Sequence, residues 1–164
     1  MITILGARSR DLLVLEEDFA AVSDELLVMT DDGSYGRRGL VTEALHEVCA
    51  RSDRPNLAVA IGPEAMMKAC CELTRPAGIP TQVSLNTIMI DGMGMCGGCR
   101  IDLDGEPKFV CMDGSEFDGH KVDFDGMLLR MRAYADQDHQ ALADYQDHRC
   151  RIGLDRNDPW SAAK

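Results

Sequence analysis

Residues 56–78, NLAVAIGPEAMMKACCELTRPAG, carry two different periods in succession. Residues 56–62 are an apolar run of strand length stopped by Gly62. From Pro63 the apolar positions fall at helical spacing, with proline at the helix start and Gly78 at its stop. A short strand that is apolar throughout is buried on both faces, which is the mark of a parallel sheet. The same alternation extends outward. ITILGARS (2–9) is a β-rich run stopped by Gly6. Residues 10–24 have helical spacing, with Leu12, Leu13, Leu15, Phe19 and Val22 tending to one side. Residues 25–36 are a strand running into an Asp/Gly turn, 39–52 a helix and 80–86 a strand. Strand and helix in turn predict an α/β fold, a parallel sheet with helices over both faces.

After Asn86 the pattern changes. A loop rich in glycine and cysteine is followed by RIDLDGEPKFVC (100–111), which predicts a β-hairpin across Asp104-Gly105. From about Asp125 the spacing predicts one long, weakly amphipathic helix to Cys150, then an irregular arm. Three parts are expected: 1–86, 87–125 and 126–164.

The chain has 164 residues, 17 basic and 28 acidic, for a formal charge of −11. That balance disfavours nucleic acid and anionic membranes as partners, since phosphate surfaces need clustered Lys and Arg. No apolar run approaches the ~18–20 residues of a spanning helix. The N-terminus lacks the basic segment and cleavage site of a signal peptide. The seven cysteines are therefore expected to be thiols in a reducing, cytoplasmic compartment. Cys49, Cys70, Cys71 and Cys150 fall in helical patterns, where a small buried hydrophobe is the expected role. No residue stands out as an acid–base catalyst; His46, His120, His139 and His148 are expected to be surface or structural.

DGMGMCGGCR (91–100) carries the strongest chemical signal. The spacing is Asp91-x4-Cys96-x2-Cys99-x11-Cys111. With cysteine in the first place it is the C-x4-C-x2-C…C spacing of plant-type [2Fe–2S] proteins. A carboxylate brings the same single negative charge as a thiolate, though it is the harder ligand. Glycines at 92, 94, 97 and 98 let the backbone wrap closely and aim N–H groups at bridging sulfides. The competing reading is a zinc-stabilised interaction module without redox chemistry, with His120 completing a Cys₃His set.

Parallel sheets bind ligands beyond the carboxyl ends of their strands. Three such ends are candidates for a nucleotide. Gly6 and Arg8 offer a close backbone approach and a cation. Asp31 and Asp32 offer carboxylates for ribose hydroxyls, beside Ser34 and Arg37. Gly62 and Pro63 form a turn at a helix N-terminus. No G-x-G-x-x-G phosphate loop occurs.

ILGARSRDLLVLEEDF, TDDGSYGRRGLVTEAL, AIGPEAMM, SLNTIMIDGMGMCGGCRI and KFVCMDGSEFDGHKVDFD together resemble the ferredoxin reductase-like flavoproteins. They are similar to the C-terminal part of the small (alpha) subunit of NADH-dependent ferredoxin:NADP⁺ oxidoreductase, also described as a sulfide dehydrogenase subunit. The electron-transfer subunit of dihydroorotate dehydrogenase is a cousin. The resemblance covers most of residues 2–125 and is looser beyond. It implies Asp91, Cys96, Cys99 and Cys111 as ligands of a [2Fe–2S] cluster. It also implies NAD(H) or NADP(H), with the adenosine end near Arg8 and 31–37 and the nicotinamide end near Gly62-Pro63. FAD is implied too, held largely outside this chain. The cousin has cysteine where this chain has Asp91, which favours the first assignment.

In that family a flavin barrel precedes the nucleotide domain, whose first βα unit carries the phosphate loop. Neither matches any residue here. The family's first strand lies between the strands at 2–5 and 57–61, so an incomplete sheet with an unfilled slot or raw edges is expected. The implied function is an electron-transfer subunit or fragment of an NAD(P)H:ferredoxin oxidoreductase. Its implied partners are a larger iron–sulfur flavoprotein subunit, ferredoxin, and a chain carrying the flavin domain. The tail helix is a docking candidate.

Overall fold

The computed structural model describes residues 1–146. The arm and the expected end of the tail helix lie outside them. The chain divides into two compact units, Met1–Met127 and Leu128–Lys164.

The first unit is α/β, as the alternation predicts. β1 (Ile2–Ala7) pairs in parallel with β2 (Glu25–Thr30), residue for residue from Ile2↔Glu25 to Ala7↔Thr30. The two-residue β3 (Arg37–Arg38) closes the far edge of β2. A second sheet is separate from this one. There β4 (Ala58–Ile61) pairs in parallel with β5 (Thr81–Ser84), and β8 (Glu116–Asp118) runs antiparallel along β5. β1 and β4 are thus end strands of different sheets, with no pairing between them.

Two helices tie the sheets together. α2 (Val41–Cys49) packs on β1 and β2, α3 (Glu64–Ala77) packs on β4 and β5, and the helices pack on each other. The α2 start is held by Glu43, whose carboxylate accepts the Leu40 N–H at 3.2 Å. α3 opens after Pro63 and stops at Gly78, whose φ of +66° is the left-handed stop that glycine adopts without strain. Its buried side chains Met67, Cys70, Cys71 and Thr74 recur at i, i+3, i+4 and i+7, one helical stripe. They meet Val83 and Thr81 of β5 to form a core that also holds Met29, Ala44 and Val48. Of these, Met29, Val48, Met67 and Val83 each contribute about 1.5–3 kcal/mol on burial.

Residues 10–24 depart from the expected single helix. A 3-10 turn covers Arg10–Leu12, and α1 is only Glu16–Val22. Leu15 sits between them at φ +59°, and a left-handed residue cannot continue a right-handed helix. The apolar side predicted there is uncovered: Leu12, Leu15, Phe19 and Val22 are all exposed.

β6 (Arg100–Leu103) and β7 (Glu106–Phe109) form the expected hairpin. Asp104 and Gly105 take φ of +58° and +85°, the two positive angles of a type I′ turn. A short helical turn, α4 (Val110–Asp113), follows and leads to β8. The expected long tail helix is two: α5 (Phe124–Met131) and α6 (Ala135–Gln146), with a 3-10 turn at Arg132–Tyr134 between them. The weak amphipathicity gives no apolar stripe to hold one continuous α geometry there. Among the described residues no helix is long and apolar enough to cross a membrane.

Candidate metal centre

The β6–β7 hairpin explains the eleven-residue gap between Cys99 and Cys111. Its register pairs Arg100 with Phe109, which leaves Cys99 and Val110 facing each other, joined by the Val110 N–H to the Cys99 carbonyl at 3.2 Å. One residue further, α4 turns Cys111 back. Asp113 fixes that turn by accepting the Phe109 N–H at 2.7 Å. Cys99 Sγ and Cys111 Sγ end 3.2 Å apart. Two thiolates on one tetrahedral metal stand about 3.8 Å apart, given metal–sulfur bonds of about 2.3 Å. The pair is close to that spacing. Contact with Cys99, then burial, holds the Cys111 thiol above its usual range. Two thiolates this close repel each other, and a metal cation between them removes that repulsion.

The glycine loop supplies the other two groups. Asp91 accepts the Met93 N–H at 2.9 Å on one oxygen and the Cys96 N–H at 2.7 Å on the other. These donors, Met93 first, hold its carboxyl below the usual range, so it stays anionic. Cys96 is exposed, and its sulfur accepts the Gly98 N–H at 3.4 Å. Gly94 needs to be glycine twice over. Its φ is +79°, and a Cβ there would stand 2.7 Å from Met112 Cγ. Three thiols and an ionised carboxylate, on a backbone already donating to Asp91 and to sulfur, fit an iron–sulfur cluster.

His120 corrects the zinc alternative. Its Nε2 lies 3.0 Å from Thr74 Oγ1, and its N–H donates to Asp118 at 3.0 Å. It belongs to the α3–β5 core, so a Cys₃His set is not assembled. Among the described residues, no three His, Cys, Asp or Glu side chains converge as a single metal ion would require.

Gly6, Arg8, Asp31, Asp32 and Ser34 lie at the ends of β1 and β2, which are zipped together by Asp31 N–H to the Ala7 carbonyl and Asp32 N–H to the Arg8 carbonyl, whereas Gly62 and Pro63 follow β4 in the other sheet. Asp32 accepts both the N–H and the hydroxyl of Ser34, which hold its carboxyl down, hydroxyl first. Ser34 Oγ in turn accepts the Arg10 N–H at 2.9 Å, and the Arg10 guanidinium lies 5.2 Å over the Tyr35 ring. Arg37 is engaged elsewhere, gripping Glu47 with both guanidinium nitrogens. Gly6 has a packing reason: a Cβ there would run into Val41 Cγ1 of α2. Arg8, Asp31 and Pro63 are exposed. Sequence reasoning missed Asp113 and Arg10. Only the recurrence of Asp a few residues beyond a strand end could have flagged the first.

Residues 86–123 match the iron–sulfur cluster binding domain of dihydroorotate dehydrogenase B. A Thermotoga maritima protein, a homologue of the dihydroorotate dehydrogenase B (NAD(+)) electron transfer subunit, is 47% identical over 83% of this chain and 48% of its own. A Methanocaldococcus jannaschii protein named "Probable dihydroorotate dehydrogenase B (NAD(+)), electron transfer subunit" is 42% identical over 74% of this chain and 46% of its own. A chain in the structure of an NADH-dependent reduced ferredoxin-NADP oxidoreductase superposes with a TM-score of 0.77 at 43% identity, over 88% of this chain and 52% of that one. The chain spans about half the length of these relatives. On the cluster-binding segment, the α/β frame and these identities, the chain is similar to about half of an electron-transfer subunit of the ferredoxin reductase-like type.

Proposed function

We propose that this chain is the cluster-bearing electron-transfer part of a flavin-dependent NAD(P)H oxidoreductase, and that Asp91, Cys96, Cys99 and Cys111 hold a [2Fe–2S] cluster. One observation carries the reading: the hairpin brings Cys99 and Cys111 to 3.2 Å, and the loop with Cys96 and the ionised Asp91 belongs to the same segment, which matches an iron–sulfur domain. When bound, such a cluster accepts and releases one electron at a time.

The chain's own residues have separate tasks. Cys99 and Cys111, already side by side, would hold one iron of such a cluster, and Asp91 and Cys96 would hold the other. The Gly98 N–H, already donating to the Cys96 sulfur, stabilises the charge held there. Cys99 is 2% exposed, whereas Cys96 is open to solvent. The Cys96 side is the exit toward a partner.

The rest of the activity extends beyond these residues. Electrons come from NAD(H) or NADP(H) by way of FAD, held largely by residues outside this chain. Arg8 and Asp31 to Arg37 meet the adenosine end and Gly62-Pro63 the nicotinamide end. The acceptor is a larger iron–sulfur flavoprotein subunit, with ferredoxin further along and the flavin domain on a partner segment. Asp91 in place of cysteine favours that acceptor over a dihydroorotate-oxidising one. A reducing, cytoplasmic setting suits the free thiols.

Air-free purification followed by iron, sulfide and zinc analysis tests the assignment, together with the EPR spectrum of the reduced protein. Two irons and two sulfides per chain are expected, with a reducible S = ½ signal. Stoichiometric zinc, or an Asp91→Ala variant with an unchanged spectrum and potential, would sink it.

A further inference from the structure

We propose that Cys99 and Cys111 close into a reversible disulfide whenever the chain carries no metal, a clasp that keeps two of the proposed cluster ligands in a recoverable state. Their sulfurs stand 3.2 Å apart, with the Cys99 S–H directed at Cys111 Sγ. A disulfide bond is about 2.05 Å long, so the sulfurs have about 1.2 Å to travel. Cys111 supplies that movement. It sits in the four-residue α4, whose start is held by one side-chain bond, from the Phe109 N–H to Asp113. Cys99, 2% exposed at the root of β6, is the fixed half.

The other thiols are kept out by their positions. Cys96 is exposed and its sulfur accepts the Gly98 N–H, and among the described residues no three cysteines gather at one point. Cys70 and Cys71 lie buried on the inner stripe of α3, and Cys49 is half-buried at the end of α2. The one sulfur in contact with Cys111 therefore belongs to its hairpin neighbour.

The oxidant is hydrogen peroxide. Cys111, half-buried and the more accessible of the pair, gives up its proton, and its sulfur attacks one peroxide oxygen. The O–O bond breaks, the departing hydroxide takes that proton to become water, and Cys111 is left as a sulfenic acid. The Cys99 sulfur then attacks the Cys111 sulfur. The S–O bond breaks, and the Cys99 proton leaves with the hydroxyl as a second water. In all, two thiols lose two electrons and two protons, and one peroxide becomes two waters. A resolving sulfur already in contact intercepts the sulfenic acid before a second peroxide can carry it to irreversible sulfinic acid. A disulfide offers no thiolate, the form that binds metal, so the oxidised chain stays closed to iron until a thiol reductant opens it. That consequence rests on the cluster reading; the disulfide itself does not.

The test takes metal-free chain, reduced and desalted without air, adds one equivalent of hydrogen peroxide and then blocks the remaining thiols with iodoacetamide. Peptide mass mapping is expected to find the Cys99–Cys111 cross-link at least tenfold above any other pair, Cys96 alkylated, and full reversal by a phosphine reductant. Cys111→Ser and Cys99→Ser should each abolish the cross-link, the second carrying Cys111 on to sulfinic acid. Given ferrous iron and sulfide, the oxidised chain should take up at least tenfold less iron than the reduced chain, and reductant should restore it. A cross-link through Cys96 or between two chains, or sulfinic acid at Cys111 in the unsubstituted chain, would overturn the proposal. Equal iron uptake by oxidised and reduced chains would overturn the closure. The mass readout needs no cluster, so a chain that binds zinc or no metal at all still shows the cross-link, and the two readings fail separately.

Discussion

The Asp91 carboxylate accepts the backbone N–H of Cys96 at 2.7 Å, so the oxygen donor among the proposed ligands is tied through the chain itself to a residue that carries one of the sulfurs. That bond gives Asp91 two separable roles, folding the loop and carrying negative charge. Asp91→Asn separates them. The amide oxygen can still accept an N–H, but its charge is gone and it is a poor iron ligand. The expected outcome is a loop with near-wild-type amide chemical shifts in the metal-free protein and an iron content at least fivefold lower after reconstitution. Full iron occupancy in Asp91→Asn would assign the residue to folding alone.

Gly94 and Met112 form the tightest approach in the loop. Gly94→Ala meets both a positive φ and a Met112 carbon at 2.7 Å. The methionine is exposed and can swing away, whereas the backbone angle stays unfavourable by about 1–2 kcal/mol. Gly94→Ala should therefore lower cluster retention during air-free gel filtration, and adding Met112→Ala should restore only part of it. Complete rescue would place the whole cost in the side-chain clash.

Burial grades the cysteines by reactivity. The Cys70 and Cys71 thiols, on the buried stripe of α3, are each pushed up to about 11, chiefly by desolvation. At pH 8 only about 0.1% of each is thiolate, the reactive form. In metal-free protein, iodoacetamide at pH 8 should label the exposed Cys96 first and Cys70 and Cys71 last, at least a hundredfold slower by peptide mass spectrometry. Raising the pH toward 11 in folded protein should speed the buried pair roughly tenfold per pH unit. Labelling of Cys70 at the rate of Cys96 would show that the α3 core opens readily.

Legibility in the sequence followed the range of the forces involved. α3 was readable because proline, an i, i+3, i+4, i+7 stripe and a stop glycine all lie within one short window. The β6–β7 hairpin was readable because Asp-Gly alone selects its turn. The spacing of Asp91, Cys96, Cys99 and Cys111 is visible in the sequence, and the hairpin register shows why Cys99 and Cys111 meet. The break at Leu15 was not readable: helical periodicity ran through it, and only the uncovered face above α1 shows that nothing holds a longer helix there. β8 was hidden for a related reason. Three residues have little periodicity, and their pairing with β5 is a long-range contact. At the nucleotide end, local sequence showed the charges of Arg37 and Asp32 but could not show that Glu47 and Ser34 already engage them.

The position of His120 makes the last prediction one about stability and not about metal. Its Nε2 reaches Thr74 Oγ1 at 3.0 Å, and that hydroxyl is fully buried, donating to the Cys70 carbonyl and accepting from Thr81. Removing the imidazole deletes one bond of this network but leaves Thr74 other partners, so the cost stays near that of a single hydrogen bond, about 1 kcal/mol. His120→Ala should lower the melting temperature by about 3–6 °C while iron and sulfide content stay at the wild-type value. His120→Gln, which keeps a polar group at the end of the side chain, should recover part of the loss. A zinc site would give the reverse pattern, with metal lost stoichiometrically in both variants. Equal metal content with a shifted melting curve confines His120 to the seam between α3 and β5.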